Sequence, residues 1–309
     1  HTRLPYTVGL VLIGLGLSFA ADHVTALEPL HEVVLSPDLI LFVFLPTLIF
    51  ESAFNLDTRL LSRNLVPVMV LAAPGLLIST AAVGALVWWL TPLGLGPALV
   101  FGALISATDP VAVIALFKEL GAPKRLAILV EGESLFNDAT AIVLFRIILA
   151  VVAGGSLSMA SVTDGGADFL YVFVGGLLVG GMIGYLMIRS IAFAGDEPVV
   201  QVAMSTVVAY AAFIAAEHYL HVSGVMATLG AGVVVGTLGS TKFSRAVRSY
   251  LHQFWEYAAF VANSLIFLLV GLSVSIGDLT AQLGPIAWAL GAVLLARAVT
   301  VFGLVPVVG

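Results

Sequence analysis

The sequence has no cysteine and very little charge. Without cysteine there are no disulfides and no thiolate metal sites, and the redox compartment stays undecided. Asp, Glu, Lys and Arg make up only 10% of the 309 residues and apolar residues 61%, against roughly 25% and 45–50% in ordinary globular chains. A soluble chain of this composition would expose large apolar patches, which monomers rarely tolerate; soluble enzymes and disordered chains are excluded. Positive charge is scarcer still. Twelve Lys and Arg against 18 Asp and Glu leave a net charge of −6, which offers no surface for phosphates and excludes nucleic acid as a partner. What remains is a chain dissolved in a bilayer, an all-α membrane protein built as a polytopic helical bundle. It begins at His1 rather than Met and is expected to be a piece of a longer chain. Its first apolar stretch is long enough to span, so no separate signal peptide is expected.

A membrane-spanning helix needs about 20 mostly apolar residues. By that rule the sequence predicts about ten spans, at 4–22, 36–54, 64–91, 97–118, 125–153, 168–192, 198–218, 222–239, 254–275 and 284–307. Pro, Gly, Asp and Ser punctuate the joins, as helix ends require. Gly230, Gly232 and Gly236 fall at close-packing spacing within one span and point to helix–helix contact. The cations test the count independently. Arg3, then Arg59 and Arg63, then Lys118, Lys124 and Arg125, then Arg189, then Lys242, Arg245 and Arg248 lie at alternate joins. Ten spans put all of them on one side, which the positive-inside rule makes cytoplasmic, so Arg3 and the C-terminal end are both expected on that side. The plasma (inner) membrane is the expected location.

The two remaining cations, and several of the acids, lie in apolar segments. Arg146, Arg297, Glu51, Asp109, Glu133 and Asp138 fall inside spans, and Glu131 sits nearer the cytoplasmic end. An intramembrane charge costs at least a few kcal/mol, so an ion site or relay is its default reading. Asp109 and Asp138 fall near the middles of two consecutive spans. In Ser106-Ala-Thr108-Asp109-Pro110 the proline removes a backbone donor and disfavours helix just before it. A helix broken at Thr108–Pro110 frees carbonyl oxygens at the midplane, as in the discontinuous helices of secondary transporters. In Glu131-Gly-Glu133-Ser134-Leu-Phe-Asn137-Asp138, Ser134 and Asp138 share a face and Glu133 and Asn137 share the neighbouring one. Carboxylate and hydroxyl oxygens on one face suit a hard cation such as Na+. Each of these residues also has a plainer reading. Asp-Pro can merely kink a span, and a buried carboxylate can pair with a buried arginine. Glu133 and Arg297, of opposite charge and each expensive to bury alone, are expected to form such a pair. Glu51 divides evenly between an ion pathway and a structural role. No role is assigned to Arg146, and Glu217, His218, His221, Trp255 and Glu256 at span ends are expected to anchor at the interface.

These segments, with Pro46-Thr-Leu-Ile-Phe-Glu51, Asn263-Ser-Leu-Ile-Phe267 and Arg297-Ala-Val, resemble the sodium/proton exchangers of the NhaP and NHE type, over essentially the whole chain. The resemblance implies an inverted-repeat antiporter fold with a discontinuous helix near Asp109, and a homodimer formed through a dimerisation domain. It implies cation and proton binding at Asp138, with Asn137 before it, and at Thr108, Asp109 and Ser134, so that Na+ would sit among Asp138, Ser134, Thr108 and Asp109. Glu51 would lie near the ion route, and Glu133 and Arg297 would form a structural bridge to Asn137. Asn-Asp at 137–138 is the pattern of electroneutral exchange, one Na+ for one H+. No resident cofactor is implied, since Na+ and H+ are cargo. Residues 1–309 form one transmembrane antiporter domain matching the family's second to eleventh spans. The first span and the last two, with a second unwound helix past Gly309, are then expected to be absent.

A single group that holds either a proton or a cation is enough for exchange. Crossing as a bare carboxylate is costly, whereas the protonated or Na+-loaded form is neutral. The alternatives are a K+ or Li+ antiporter of the same fold, or a cation channel lined by the same carboxylates. Ring-forming channel residues should repeat by symmetry, and these come from dissimilar helices. An intramembrane hydrolase is disfavoured because no midplane histidine accompanies Ser134; a sensor or scaffold would need a tail beyond this chain.

Overall fold

The computed structural model describes residues 5–32, 35–108, 110–154, 159–194 and 197–308; Arg3 and Asp109 lie outside them. Among the described residues, eleven main helices occupy the ten predicted segments. They are α1 (Tyr6–Ala21), α2 (Pro37–Asn55), α3 (Leu65–Leu90), α4 (Leu95–Ser106), α5 (Val111–Leu120), α6 (Lys124–Gly154), α7 (Met159–Ala194), α8 (Pro198–Tyr219), α9 (Gly224–Lys242), α10 (Arg245–Leu272) and α11 (Leu283–Val308). Among the described residues, eight helices are long and apolar enough to cross a membrane, while α1 and α4 are shorter apolar helices.

The boundaries follow local chemistry. Ser36 caps α2, its hydroxyl accepting from Leu39 N at 3.2 Å, with Pro37 in the first turn where a missing N–H costs nothing. Asp57 caps the short helix Thr58–Arg63 by accepting from Arg59 N and Leu60 N at 3.1 Å. Gly121 ends α5 in the left-handed region (φ 65°), and the next N–H, of Ala122, returns to Phe117 O. Two predicted spans begin later than the helices do. The segment predicted at 168–192 belongs to a helix starting at Met159, and the one at 254–275 to a helix starting at Arg245. In the second case the Ser244 hydroxyl accepts from Val247 N, so a polar turn carrying Arg245 and Arg248 joins the helix before its apolar part. A rule that counts apolar residues sees only the hydrocarbon-length part.

Several spans are locally irregular. A π-turn at Leu71–Gly75 in α3 contains Pro74, which has no N–H for the regular ladder. Another, Ile40–Phe44, precedes Pro46 in α2, where Val43 O accepts from the Thr47 hydroxyl (3.2 Å) and the Tyr210 hydroxyl (2.9 Å). The main interruption lies between α4 and α5. Helix stops at Ser106, Ala107 is extended (ψ 142°), and helix resumes at Val111. The segment predicted as one span at 97–118 is therefore two half-helices joined through Thr108–Pro110.

The chain forms two compact units, each interleaved in sequence. Residues 1–55, 179–219 and 227–283 make the first. There, glycines let backbones touch. A Cβ on Gly14 would run into Leu268 O, one on Gly271 into Val11 O, and one on Gly236 into Phe54 O. Trp255, expected to anchor at the interface, is instead buried in this unit. Its indole N–H donates to the Ser205 hydroxyl at 3.0 Å and its ring packs on Phe50 with centroids 4.5 Å apart, so both its polar and apolar parts are satisfied internally. Residues 56–178, 220–226 and 284–309 make the second unit. Its apolar core includes Val83, Val87, Ala98, Ala292 and Ala296, joining α3, α4 and α11. Gly102 sits against the α3 backbone at Thr80 O.

Candidate ion-binding site

The second unit gathers polar groups around the break between α4 and α5. The Thr108 carbonyl, freed because helix has ended two residues earlier, accepts from the Ser134 hydroxyl at 2.8 Å. The Thr108 hydroxyl accepts from Arg297 Nη2 at 3.0 Å. The same nitrogen donates to Glu133 Oε1 at 3.1 Å and Oε2 at 3.2 Å. Glu133 Oε1 also accepts from Asn137 Nδ2 at 2.8 Å, one turn along α6. Three helical segments are thus tied at one point: α6 through Glu133, Ser134 and Asn137, α11 through Arg297, and the broken segment through Thr108.

Physical chemistry explains why these residue types occur here. The Glu133 carboxylate is buried and needs donors on both oxygens, which Arg297 and Asn137 supply. An aspartate at 137 would place a second negative charge one turn from Glu133 in the same buried pocket; the amide offers a donor instead. Gly132 precedes this turn because a Cβ there would lie 3.0 Å from Leu61 Cδ1 and 3.2 Å from Val68 Cγ2, so α6 can lie close to its neighbours. Arg125 further anchors the start of α6, its Nε donating to Asn64 Oδ1 at 3.0 Å, while Asn64 Nδ2 donates to Leu60 O at 2.8 Å. Nothing in the local sequence around Asn64 marked this contact, which joins positions 61 residues apart.

Asp138 lies on α6 one turn beyond Ser134 and is partly exposed, unlike its neighbours Asn137 and Ala139, which are wholly buried. On this helix Glu133 is buried among fixed donors, whereas Asp138 is partly exposed. Ser134, one turn before it, donates its hydroxyl proton to Thr108 O. Asp109 lies outside the described residues. Arg146 is exposed on α6, two turns further on.

Glu51 belongs to the first unit and is described there by itself. It is partly buried near the end of α2, and Oε1 accepts from Asn55 Nδ2 at 2.7 Å. Asn55 Oδ1 in turn meets His252 Nδ1 at 2.7 Å. Neither Asn55 nor His252 stood out in the sequence, because the contact joins positions 197 residues apart.

A membrane bundle, helical throughout its described residues, with a helix interrupted around a buried polar cluster, is the arrangement seen in secondary transporters with discontinuous helices. The structure superposes on that of the sodium proton antiporter MjNhaP1 from Methanocaldococcus jannaschii, solved at pH 8, with a TM-score of 0.80, 23% identity, and coverage of 98% of this chain and 73% of that one. The fold is therefore the one MjNhaP1 adopts. The family model for the transmembrane sodium/hydrogen exchangers matches residues 1–309. The chain belongs to the sodium/hydrogen exchanger family. Among its relatives are the Na+/H+ antiporter ApNhaP of Aphanothece halophytica, 38% identical over 303 residues, and the low-affinity Na+/H+ antiporter NhaS1 of Synechocystis, 40% identical over 304 residues. Each alignment covers 98% of this chain but only 56% and 55% of those proteins, so the chain spans little more than half the length of these curated relatives. The family is one of membrane transporters, and the protein is integral to a membrane.

Proposed function

We propose that the protein exchanges Na+ for H+ across the membrane, one for one and without net charge movement, with Asp138 as the group that takes up cation and proton in turn. The observation that carries this reading is the Ser134–Thr108 hydrogen bond. It joins the broken helix to α6 one turn before Asp138, and it supports a reading in which carbonyl, hydroxyl and carboxylate oxygens serve one cation. Such a set suits a hard monovalent cation. In this reading Thr108, Asp109, Ser134 and Asn137 complete the binding region. Glu133 and Arg297 hold it together without contacting the cargo, and Glu51 lies on the ion route. The basic joins at Arg59, Lys124 and Arg245 face the cytoplasm, the protein works as a homodimer in the plasma membrane, and residues 1–309 are the interior spans of one antiporter domain. No resident cofactor takes part.

The coupling needs one prohibition. Na+ and H+ compete for the same carboxylate, so binding one releases the other. The site changes sides only when neutralised by either occupant, because a bare carboxylate in an apolar passage costs at least a few kcal/mol. Two neutral crossings in opposite directions move one Na+ against one H+, and the membrane potential does no work on either.

The test is proton flux in liposomes containing the protein expressed at its full natural length, under Na+, K+ or Li+ gradients and with the potential clamped at zero and away from it. The expected result is Na+-driven, potential-independent proton movement that Asp138→Asn abolishes while the purified protein stays folded. Sodium-dependent proton movement surviving in Asp138→Asn would refute the assignment, and a rate that follows the potential would refute neutral exchange.

A further inference from the structure

We propose that His252 is a positioning residue for Glu51, acting through Asn55; this rests on the reading of Glu51 as part of the ion route. The three side chains form one chain of hydrogen bonds inside the first unit. Asn55 Nδ2 donates to Glu51 Oε1 at 2.7 Å, and His252 Nδ1 lies 2.7 Å from Asn55 Oδ1.

The direction of every bond in it follows from donor chemistry. A carboxylate only accepts, so the Asn55 amide must turn its NH2 to Glu51 and its carbonyl oxygen to His252. That oxygen only accepts, so His252 must carry a proton on Nδ1. The neutral ring satisfies this as the Nδ1–H tautomer, and the charged ring satisfies it as well.

The surroundings hold both ends still. On α10, Leu251 and Trp255 flank His252 and are fully buried, with Trp255 seated on Phe50 of α2 and tied to Ser205. On α2, the turn before Asn55 is pressed from another side by α9. A Cβ on Gly232 would lie 2.7 Å from Ala53 Cβ, and one on Gly236 would run into Phe54 O. His252 itself is exposed, so the brace runs from the exposed edge of α10 to a carboxylate within a span. Without the brace, Glu51 Oε1 loses the fixed amide donor that orients it toward the route. The loss should appear in cation capture and not in turnover once the site is filled.

The test is Na+/H+ exchange kinetics in liposomes for the full-length protein and for His252→Ala, His252→Asn, Asn55→Ala and the double His252→Ala/Asn55→Ala variant. The proposal expects His252→Ala and Asn55→Ala each to raise the apparent KM for Na+ about two- to tenfold, the effect of one lost hydrogen bond, with the maximal rate within about twofold. The double variant should match the single ones, since both cut the same chain. His252→Asn, which places an amide N–H near the position of Nδ1, should restore the KM. Unchanged kinetics in His252→Ala would overturn the proposal, as would a lower maximal rate at unchanged KM, additive effects in the double variant, or no recovery with His252→Asn. Asn55→Ala breaks the brace from the α2 side and carries the test if His252→Ala proves unstable. A wild-type protein that fails to exchange would sink the proposed function and this inference together. A wild type that exchanges, is silenced by Asp138→Asn and is indifferent to His252 would sink this inference alone.

Discussion

Two carboxylates within the spans, one in each compact unit, are held in contrasting ways. Glu133 is closed off. It is buried, both its oxygens accept from Arg297, and Oε1 also accepts from Asn137. Glu51 is partly exposed and accepts at Oε1 from an amide whose other end leads to an exposed histidine. The first arrangement ties a buried carboxylate to an arginine and an amide, and the second sets a partly exposed carboxylate against an amide. A buried acid is therefore not in itself an ion site. On the proposed reading, framework and ion route differ in how deeply the acid is buried and in whether an arginine holds it.

The comparison breaks most visibly at Arg297. Removing one partner of a buried pair costs about 3–5 kcal/mol, because the other charge is left uncompensated. Here the Arg297 side chain is 33% exposed against 9% for Glu133, and Asn137 keeps one bond to the carboxylate, so the lower end applies. Arg297→Ala should lower the thermal midpoint in detergent and reduce folded yield by an amount matching about 3 kcal/mol. Adding Glu133→Gln should recover much of the loss by removing the stranded charge. An Arg297→Ala protein as stable as wild type would show that Glu133 does not depend on its cation and would erase the contrast with Glu51.

Packing under the second carboxylate gives the next effect. Gly236 meets the backbone of Phe54, one residue before Asn55, and a methyl group there has no flexible side chain to push aside. Gly236→Ala should destabilise the protein by about 1–3 kcal/mol, in the range for overpacking a filled interface. It should also raise the KM for Na+, since α2 must shift at the turn that carries Asn55. A loss of stability with unchanged KM would separate the helix contact from the orientation of Glu51.

These contrasts were unevenly legible in the sequence. The spans could be read because a bilayer demands about 20 apolar residues per crossing, and the break at Thr108–Pro110 because proline cannot continue a helix across the residue before it. The Glu133–Arg297 pair could be anticipated because each charge requires a partner at membrane depth. The polar first turns of α10 escaped notice, since capping by Ser244 extends a helix beyond its apolar part. Trp255 at an apparent span end read as an interfacial anchor because its two satisfying contacts, Ser205 and Phe50, lie 50 and 205 positions away. The His252–Asn55–Glu51 chain left no local signal for the same reason: an exposed histidine and an asparagine near a helix end are unremarkable until the fold joins them.

The smallest expected effect is the most discriminating. His252 is exposed, so removing its ring uncovers no cavity, and the Asn55 oxygen released by His252→Ala lies at a partly exposed residue where water can replace the lost donor. A hydrogen bond exchanged for one to water is worth little; the larger penalty applies only to groups left buried and unsatisfied. His252→Ala should therefore shift the unfolding free energy by less than about 1 kcal/mol, within a few degrees of the wild-type thermal midpoint, while Arg297→Ala shifts it several times further. Water replaces the energy of the bond but not its direction, because a mobile donor does not hold the amide, and hence the carboxylate, in one orientation. A variant that is nearly as stable as wild type yet captures Na+ less well would separate orientation from stability at Glu51. A His252→Ala protein as destabilised as Arg297→Ala would instead place His252 in the framework, and the two carboxylates would then be held in the same way.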